Sequence, residues 1–572
     1  MTNFYSDNTD ILFHMQKMEL SRIISLKEDD FSEKDEYAHA PEDWEDARDN
    51  YQRVLEIVGD IAGNFVAPRA EEVDRQGAKL EDGDVYYAQG TKEALDRLTK
   101  SDLMGFTLPR YYGGINMPKT VYSIAIELIS RADASLMNLF GLQEIADTIQ
   151  KFGSEQQKAD YLPRFSSGEV TGAMALTEPD AGSDLQSVML RADQGDDGHW
   201  YLNGVKRFIT NGCGDVLLVL ARSEAGSTGG RGLSLFLYER DENMQIRRIE
   251  DKLGIHGSPT CELQFNNAPA TLVGRRKMGL IRYTLSLMNG ARLGVAAQAI
   301  GIAEAAFREA DNYSRQRQQF KTSIRSFSAV FEMLTSMRVE IEASRTLLYE
   351  TSRVVDIAEG LEEKMENYPD KKEELKEDAK RYSKYASLLT PALKIHATEM
   401  ANQVCYDALQ VHGGPGFTRD FSIERLYRDA RITNIYEGTT QLQVAAAIGG
   451  VITGVLFDRL NEYEEAYDFQ PVQDIFSRAQ EFRNSLESAV AHVKEKNDPA
   501  YQEFHAGRIV DIALDTTISY LMCIDALHSD RKKKIAEMFV SKAKYRVEEK
   551  LNYILSDDYL MINEHDSVLE DF

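Results

Sequence analysis

Cysteine is scarce in this chain, with Cys213, Cys261, Cys405 and Cys523 the only four in 572 residues and no CxxC spacing among them. That scatter excludes a zinc ribbon and a disulfide framework and suits a reducing compartment. No stretch approaches the ~18 apolar residues needed to span a bilayer. The opening MTNFYSDNTDILFHM has neither a basic start nor a sustained apolar core, so no secretory or transit signal is expected and the protein reads as cytoplasmic. Positive charge is also in deficit: 66 Lys and Arg face 93 Asp and Glu, a net charge of −27. Such a field repels phosphate backbones, which argues against nucleic acid as a partner. Any phosphate-bearing ligand must be held by a local constellation.

Familiar chemical signatures are missing too. No GxGxxG follows a strand, and GxxxxGK[ST], HExxH and GxSxG do not occur. The usual warrants for a Rossmann site, a P-loop, a zinc protease or an α/β-hydrolase are therefore absent. His256, His396 and His412 stand alone and read as structural histidines, so no metal site is expected.

What is present describes an ordinary globular protein, 43% hydrophobic and 28% charged, long enough for roughly four structural units. From Trp44 to about Phe165 the pattern is mainly helical. Val54, Leu55, Val58, Ile61 and Ala62 fall on one helix face, as do Val121, Ile124, Ala125 and Leu128. Between Glu169 and Arg275 short strand-like runs take over, at Val216 to Ala221, Leu233 to Tyr238 and Cys261 to Phe265. Asn203-Gly204, between two extended runs, predicts a two-residue hairpin. Helices return near Met278, and RLGVAAQAIGIAEAA from Arg292 to Ala306 suits close helix packing. Glu359 to Lys384 reads as a solvated helical hairpin turning at Tyr368-Pro369, Ile509 to Leu527 as an apolar helix, and the closing NEHDSVLEDF as a loose acidic tail. The expected fold class is multidomain α+β: an N-terminal helical domain (1–168), a central β domain (169–275), a C-terminal helical bundle (276–450) and a helical extension (451–572).

Three stretches can carry chemistry. ALTEPDAGSD, from Ala175 to Asp184, offers hydroxyls and exposed backbone N–H groups at a turn. Such a loop can grip a polar ring edge and a pyrophosphate without formal positive charge, although composition alone reads it as a polar turn. Phe208 and Thr210 are two residues apart, hence on one strand face, where they can cover a planar heterocycle and bond its edge. Downstream, QVHGGPGF from Gln410 to Phe417 is a glycine-rich turn after an apolar helix, and YEGTTQLQ from Tyr436 to Gln443 sets Glu437 in a loop that opens a helix near Thr439.

Taken in order, ALTEPDAGSD, RFITNG, the RQQF of Arg317 to Phe320, QVHGGPGF and LYRDARITNIYEGTTQLQ from Leu426 to Gln443 closely resemble the acyl-CoA dehydrogenase family of flavoenzymes, over roughly residues 45 to 450. The extension resembles that of bacterial and very-long-chain members. The resemblance implies FAD-dependent dehydrogenation of an acyl-CoA thioester to a trans-2-enoyl-CoA, as in fatty acid β-oxidation, with electrons passed to an electron-transfer flavoprotein. It implies that Met174, Leu176 and Thr177 meet the flavin ring edge, with Gly182 and Ser183 near the pyrophosphate, and that Phe208 lies against the face away from substrate, with Thr210 near N5. Arg317, Phe320, Gln410 and Gly414 match positions that hold FAD across a subunit boundary, and Thr439 and Gln441 match further FAD contacts. Glu437 matches the catalytic base, whose backbone N–H binds the thioester oxygen together with a ribityl hydroxyl of FAD. Ser183, Arg292 and Tyr436 match substrate contacts.

Some relatives carry the base one residue before the arginine that Arg292 matches. Here that residue is Ala291, which leaves Glu437 as the base. Burial of this carboxyl group between flavin and acyl chain should raise its pKa. A homodimer or homotetramer is implied. An oxygen-using acyl-CoA oxidase and a catalytically silent scaffold are the rival readings, and acyl chain length and branching stay open.

Overall fold

The computed structural model describes residues 2–570. The chain starts with two helices that the sequence pattern does not announce, α1 (Thr9–Lys17) and α2 (Ser21–Lys27). Asn8 starts α1 by accepting from the Asp10 and Ile11 N–H groups at 3.1 and 3.3 Å, a favourable cap for otherwise unpaired donors. Then come α3 (Trp44–Asp60), α4 (Ala70–Gln76), a short hairpin of β1 (Lys79–Glu81) and β2 (Asp84–Tyr86), α5 (Gln89–Thr99), α6 (Lys119–Ala132), α7 (Ala134–Phe140), α8 (Ile145–Phe152) and α9 (Glu155–Ser166). The expected apolar stripe of Val121, Ile124, Ala125 and Leu128 is not a stripe. Every residue of α6 is buried, as in a helix enclosed on all sides.

The central domain comprises β3 (Gly172–Ala175), β4 (Arg191–Gln194), β5 (Trp200–Thr210), β6 (Val216–Arg222), β7 (Leu233–Glu239), β8 (Met244–Ile249) and β9 (Thr260–Val273). Pairings run β6 to β7, β7 to β9, β9 to β5, β5 to β4 and β4 back to β6, a closed circuit with β3 and β8 added alongside. Closure leaves few unpaired strand edges. The hairpin expected at Asn203-Gly204 is absent. Both residues lie within β5, at a register irregularity beside Leu202. The reversal between β4 and β5 falls at Gly195 to His199, where Gly198 takes φ +82° and Asp197 accepts from the His199 N–H at 3.0 Å. A turn of that shape draws on glycine and aspartate just as an Asn-Gly pair does, and the ladder on both sides of Asn203 decides between them.

Beyond Met278 the chain forms α10 (Leu285–Gln316), a small hairpin of β10 (Gln318–Gln319) and β11 (Thr322–Ser323), α11 (Ser328–Asn367), α12 (Lys372–His412), α13 (Ile423–Ala430) and α14 (Thr440–Ile452). The charged hairpin turns at Tyr368-Pro369 as expected, with an exposed tip. The extension adds α15 (Val455–Ala466), α16 (Gln473–Lys496), α17 (Pro499–Ala526), α18 (Asp530–Leu555) and α19 (Leu560–Leu569). The predicted loose tail is therefore helical as far as Leu569, although none of α19 is buried. Of the tail, residues 571–572 lie outside the described residues. Among the described residues no single helix is long and apolar enough to cross a membrane, and no cluster of His, Cys, Asp and Glu is placed to hold a metal ion. All four cysteines are buried and free.

The helical domains share one apolar core, and a network of buried charge runs through it. Arg345 on α11 is fully buried and donates to Asp10 of α1 at 2.5 Å, to Glu127 of α6 at 2.7 and 3.0 Å and to Glu304 of α10 at 3.0 Å. Lys532 of α18 pairs with Asp10 as well, and reaches Glu342 of α11 at 3.2 Å. Removing one partner from such a group leaves buried charge uncompensated, which costs more than the pair contributes. Arg345→Met is expected to destabilise the fold by about 3–5 kcal/mol, read as a lowered thermal unfolding midpoint. A midpoint unchanged from the wild type contradicts the role given to this guanidinium.

Candidate active site

Glu437 sits on a turn held from below by α12. Lys394 and Asn402 are two helical turns apart, so their side chains leave the same face, and that face meets the segment between α13 and α14. Lys394 Nζ donates to the carbonyl oxygens of Thr433 at 3.1 Å and Gly438 at 2.8 Å, and Asn402 donates to Ala430 O at 3.2 Å. Glu399, between them, accepts from Asn434 at 3.0 Å and Thr440 at 2.5 Å. From α14, Gln443 Nε2 donates to the Glu437 and Gly438 carbonyls, both at 3.1 Å. Glu437 itself is left-handed, with φ +55°, and Gly438 follows at φ +94°. The first is a conformation that non-glycine residues rarely take. A side chain at 438 would also meet Gln443 Nε2 at 2.5 Å, so glycine is required there.

The carboxyl group of Glu437 has its pKa raised, chiefly by burial, with Lys394 and Arg292 pulling the other way. Arg292, near the start of α10, is itself partly buried, and its Nε finds no partner among the described residues. The Glu437 backbone N–H likewise donates to no described group. Beside it, Tyr436 donates to Gln298 of α10 and lies 3.3 Å from Asn138 Oδ1 of α7. Gln298 Nε2 donates to Ala134 O at 2.8 Å and Asn138 Oδ1 at 3.0 Å, and Asn138 donates to Ser258 of the β domain at 3.2 Å. The chain of contacts ties the Glu437 turn to the β domain. A second tie runs through Asp429 of α13, which accepts from the Ile255 N–H at 2.6 Å.

The β-domain half of the site starts at β3. Met174 is partly buried, Leu176 buried and Thr177 partly buried, while Gly182 and Ser183 are exposed on the loop that follows. A buried pair fixes this loop. Lys206 of β5, with no exposed surface, donates to Leu176 O at 2.7 Å and Glu178 at 2.9 Å, and Glu178 accepts from the Met189 and Leu190 N–H groups at 2.7 and 2.9 Å. Phe208 is half exposed with φ +60°, and the register shifts between Lys206 and Ile209. A bulge, rather than the plain alternation expected from the sequence, therefore aims Phe208 outward and leaves Thr210 partly buried. Arg207 covers one face of the ring, 4.6 Å from its centroid.

Four of the expected residues lie elsewhere. Arg317 and Phe320 occupy the β10–β11 hairpin at the far end of α10, where Phe320 is 90% exposed. Gln410 and Gly414 are exposed at the same end, where Tyr313 stacks on His412 at 4.5 Å. At 1.5 Å per residue, Arg317 stands roughly 37 Å along α10 from Arg292, too far to join Glu437 in one protomer. Thr439 immediately precedes α14 without a side-chain capping bond and Gln441 is exposed in its first turn, both close to Glu437 in sequence.

The chain matches the N-terminal, middle and C-terminal domain models of acyl-CoA dehydrogenases over residues 48–169, 173–268 and 293–441. A further model, described as acyl-CoA dehydrogenase C terminal, matches residues 452–558. The 3-methylmercaptopropionyl-CoA dehydrogenase of Ruegeria pomeroyi is 36% identical over 431 residues, 70% of each chain. The chain belongs to the acyl-CoA dehydrogenase family. Among solved acyl-CoA dehydrogenases, the butyryl-CoA dehydrogenase of Megasphaera elsdenii is 31% identical with a TM-score of 0.60, covering 70% of this chain and 98% of its own. An FAD-complexed acyl-CoA dehydrogenase from Bacillus anthracis is 24% identical and shares the fold over 89% of this chain and 88% of its own, with a TM-score of 0.75.

For an acyl-CoA dehydrogenase read from sequence, several residues of this site are easy to pass over: Lys394, Gln298, Asn138, Gln443 and the Lys206–Glu178 pair. Only Lys394 carried a signal. It is a lone charge in the otherwise uncharged TPALKIHA, and lysine is rarely sealed inside a protein without a reason. Lys206→Met leaves Glu178 buried and unpaired, so the loop from 176 to 190 is expected to loosen at a cost of about 3–5 kcal/mol. Faster proteolytic cleavage within that loop is the measurement, and wild-type cleavage would refute the role of the pair.

Proposed function

We propose that this acyl-CoA dehydrogenase oxidises an acyl-CoA to its trans-2-enoyl-CoA with FAD, Glu437 serving as the base for the α-proton. The observation that carries this reading is the carboxyl group itself, partly buried on a left-handed residue, with Arg292 and Lys394 as the cations that act on its charge. A thioester α-proton is weakly acidic, so the base must be placed within hydrogen-bond reach of it, and its affinity for the proton must be raised. Burial does the second. The unpaired Glu437 N–H is a donor suited to the thioester oxygen, where negative charge gathers as the proton leaves. Arg292, Tyr436 and Ser183 would contact the substrate.

The β-domain mouth fits FAD. Phe208 offers an outward aromatic surface, and Met174, Leu176, Thr177, Thr210, Gly182 and Ser183 border an open loop rich in backbone donors. When bound, FAD supplies the acceptor for the hydride that leaves the β-carbon as the new double bond forms. Arg317, Phe320, Gln410 and Gly414 lie at the other end of α10 and would complete the FAD site of a second copy, while Thr439 and Gln441 flank Glu437 in its own. An electron-transfer flavoprotein would then take up the electrons.

Glu437→Gln protein should fold and stay yellow, yet reduce its flavin at least about 10²-fold more slowly with any acyl-CoA in an anaerobic panel of straight, branched and thioether substrates. Rapid bleaching would remove Glu437 from its role. Because the raised pKa leaves the carboxyl group protonated below it, the wild-type rate should fall on the acid side at a pH above the ordinary glutamate value of about 4.3. An acid limb at or below that value contradicts the burial argument. For the shared site, mixed dimers of Glu437→Gln and Arg317→Ala chains contain one site with both native residues. Activity that appears only on mixing supports the shared site, and two parents that never complement count against it.

A further inference from the structure

We infer that Lys394 is a positioning residue for Glu437, fixing the turn that presents the carboxyl group and setting a buried cation beside that turn. The inference rests on the role proposed for Glu437. Lys394 is 1% exposed and lies among Pro391, Leu393, Ile395 and Ala397 of α12, all buried. An ammonium group in such surroundings is costly unless its charge is answered. It carries three donors. Two are used on the carbonyls of Thr433 and Gly438, the residues that bracket the turn, and a neutral side-chain amide could serve those oxygens equally well. What an amide cannot supply is charge.

The charged groups facing Lys394 are Glu437 across the turn, Glu399 on its own helix and Arg292 from α10. Glu399 is already engaged by Asn434 and Thr440 at the two ends of the segment. Those acting on Glu437 are Lys394 and Arg292, with the neutral Tyr436 hydroxyl nearby. Arg292 sits near the start of α10 with one donor on Asn289, whereas Lys394 is bonded to the carbonyl of Gly438, the residue next to Glu437. Burial lowers the Lys394 pKa to about 8, and the Glu437 and Glu399 carboxylates oppose that shift. The same lysine thus holds the backbone in its left-handed form and offsets, from one side, the burial that raises the carboxyl pKa.

Two variants separate the clamp from the charge. Lys394→Gln keeps a donor and removes the cation, and Lys394→Met removes both. In FAD-loaded protein labelled with δ-¹³C glutamate, the Glu437 resonance is assigned by its loss in Glu437→Gln, and its titration is followed beside the pH profile of anaerobic flavin bleaching by acyl-CoA. Lys394→Gln should raise the Glu437 midpoint by about one unit, a tenfold change in proton affinity, and carry the acid limb of the bleaching profile upward with it. Lys394→Met should show the same shift and, in addition, bleach about tenfold more slowly above the limb, because a misplaced base loses reach. An unmoved midpoint in folded, yellow Lys394→Gln protein overturns the inference, and this variant decides the matter if Lys394→Met fails to fold. Should Glu437→Gln still bleach rapidly, the base assignment falls, while the NMR titration still reports whether Lys394 and Glu437 are coupled.

Discussion

A guanidinium sealed among three carboxylates sets the frame of this molecule. Arg345 reaches α1, α6 and α10 from α11, and Lys532 carries the same network into the extension. Buried ion groups contribute little net stability compared with well-packed apolar residues, yet any packing that separates them strands a charge in a medium that solvates it poorly. The arrangement therefore penalises slippage of α10 against its neighbours. α10 also presents Arg292 and Gln298 to the Glu437 turn, so a shift of this helix would be felt directly at the carboxyl group. The N-terminal helices bear on the Glu437 turn through that rod, whereas the extension also reaches it through α15 and α17, which pack against α12 and α14.

The meeting of the β domain with the helical domains is built differently. Apolar packing of α8 and α9 against β6 and β7, through Ile145, Ile149, Leu162, Phe165, Val216 and Leu235, is joined there by directional polar contacts such as Asn138 with Ser258, Asp429 with the Ile255 N–H and Arg428 with the Leu253 carbonyl. Hydrogen bonds of this sort fix orientation better than apolar contact does, because they have direction as well as distance. The motif from Leu426 to Gln443 divides its labour accordingly. Its first half, with Arg428 and Asp429, anchors one domain to another, and its second half forms the turn that carries Glu437.

Much of the architecture was legible in the sequence. Periodicity alone separated helical from β territory, because a period near two and one near 3.6 leave different traces, and the Tyr368-Pro369 reversal was announced by proline and charge. The same reasoning misplaced the β4–β5 turn, since Asn-Gly favours a reversal but cannot impose one where strands continue to pair on both sides. It could not see that α6 is enclosed on all faces, which depends on elements distant in sequence. At the site, resemblance singled out Glu437 and the loop after β3 as candidates. The supporting residues stayed hidden because each is ordinary in its local setting: Lys206 and Glu178 lie 28 residues apart, and Gln298 and Tyr436 lie 138 apart. Only the folded chain makes them neighbours. The first 43 residues were silent for the same reason, as their helices gain meaning from what they dock against.

The left-handed backbone at Glu437 has a consequence for how this position can drift. Every residue but glycine is uncomfortable at φ +55°, by an amount of order 1–3 kcal/mol, so selection for sturdiness alone would pull this codon toward glycine. The resulting protein would be the more robust of the two and, on the role proposed for Glu437, the idle one. Holding glutamate here means that the molecule keeps a local tension on behalf of its chemistry, and variants that relax it will look like improvements in any screen that scores heat resistance without scoring turnover.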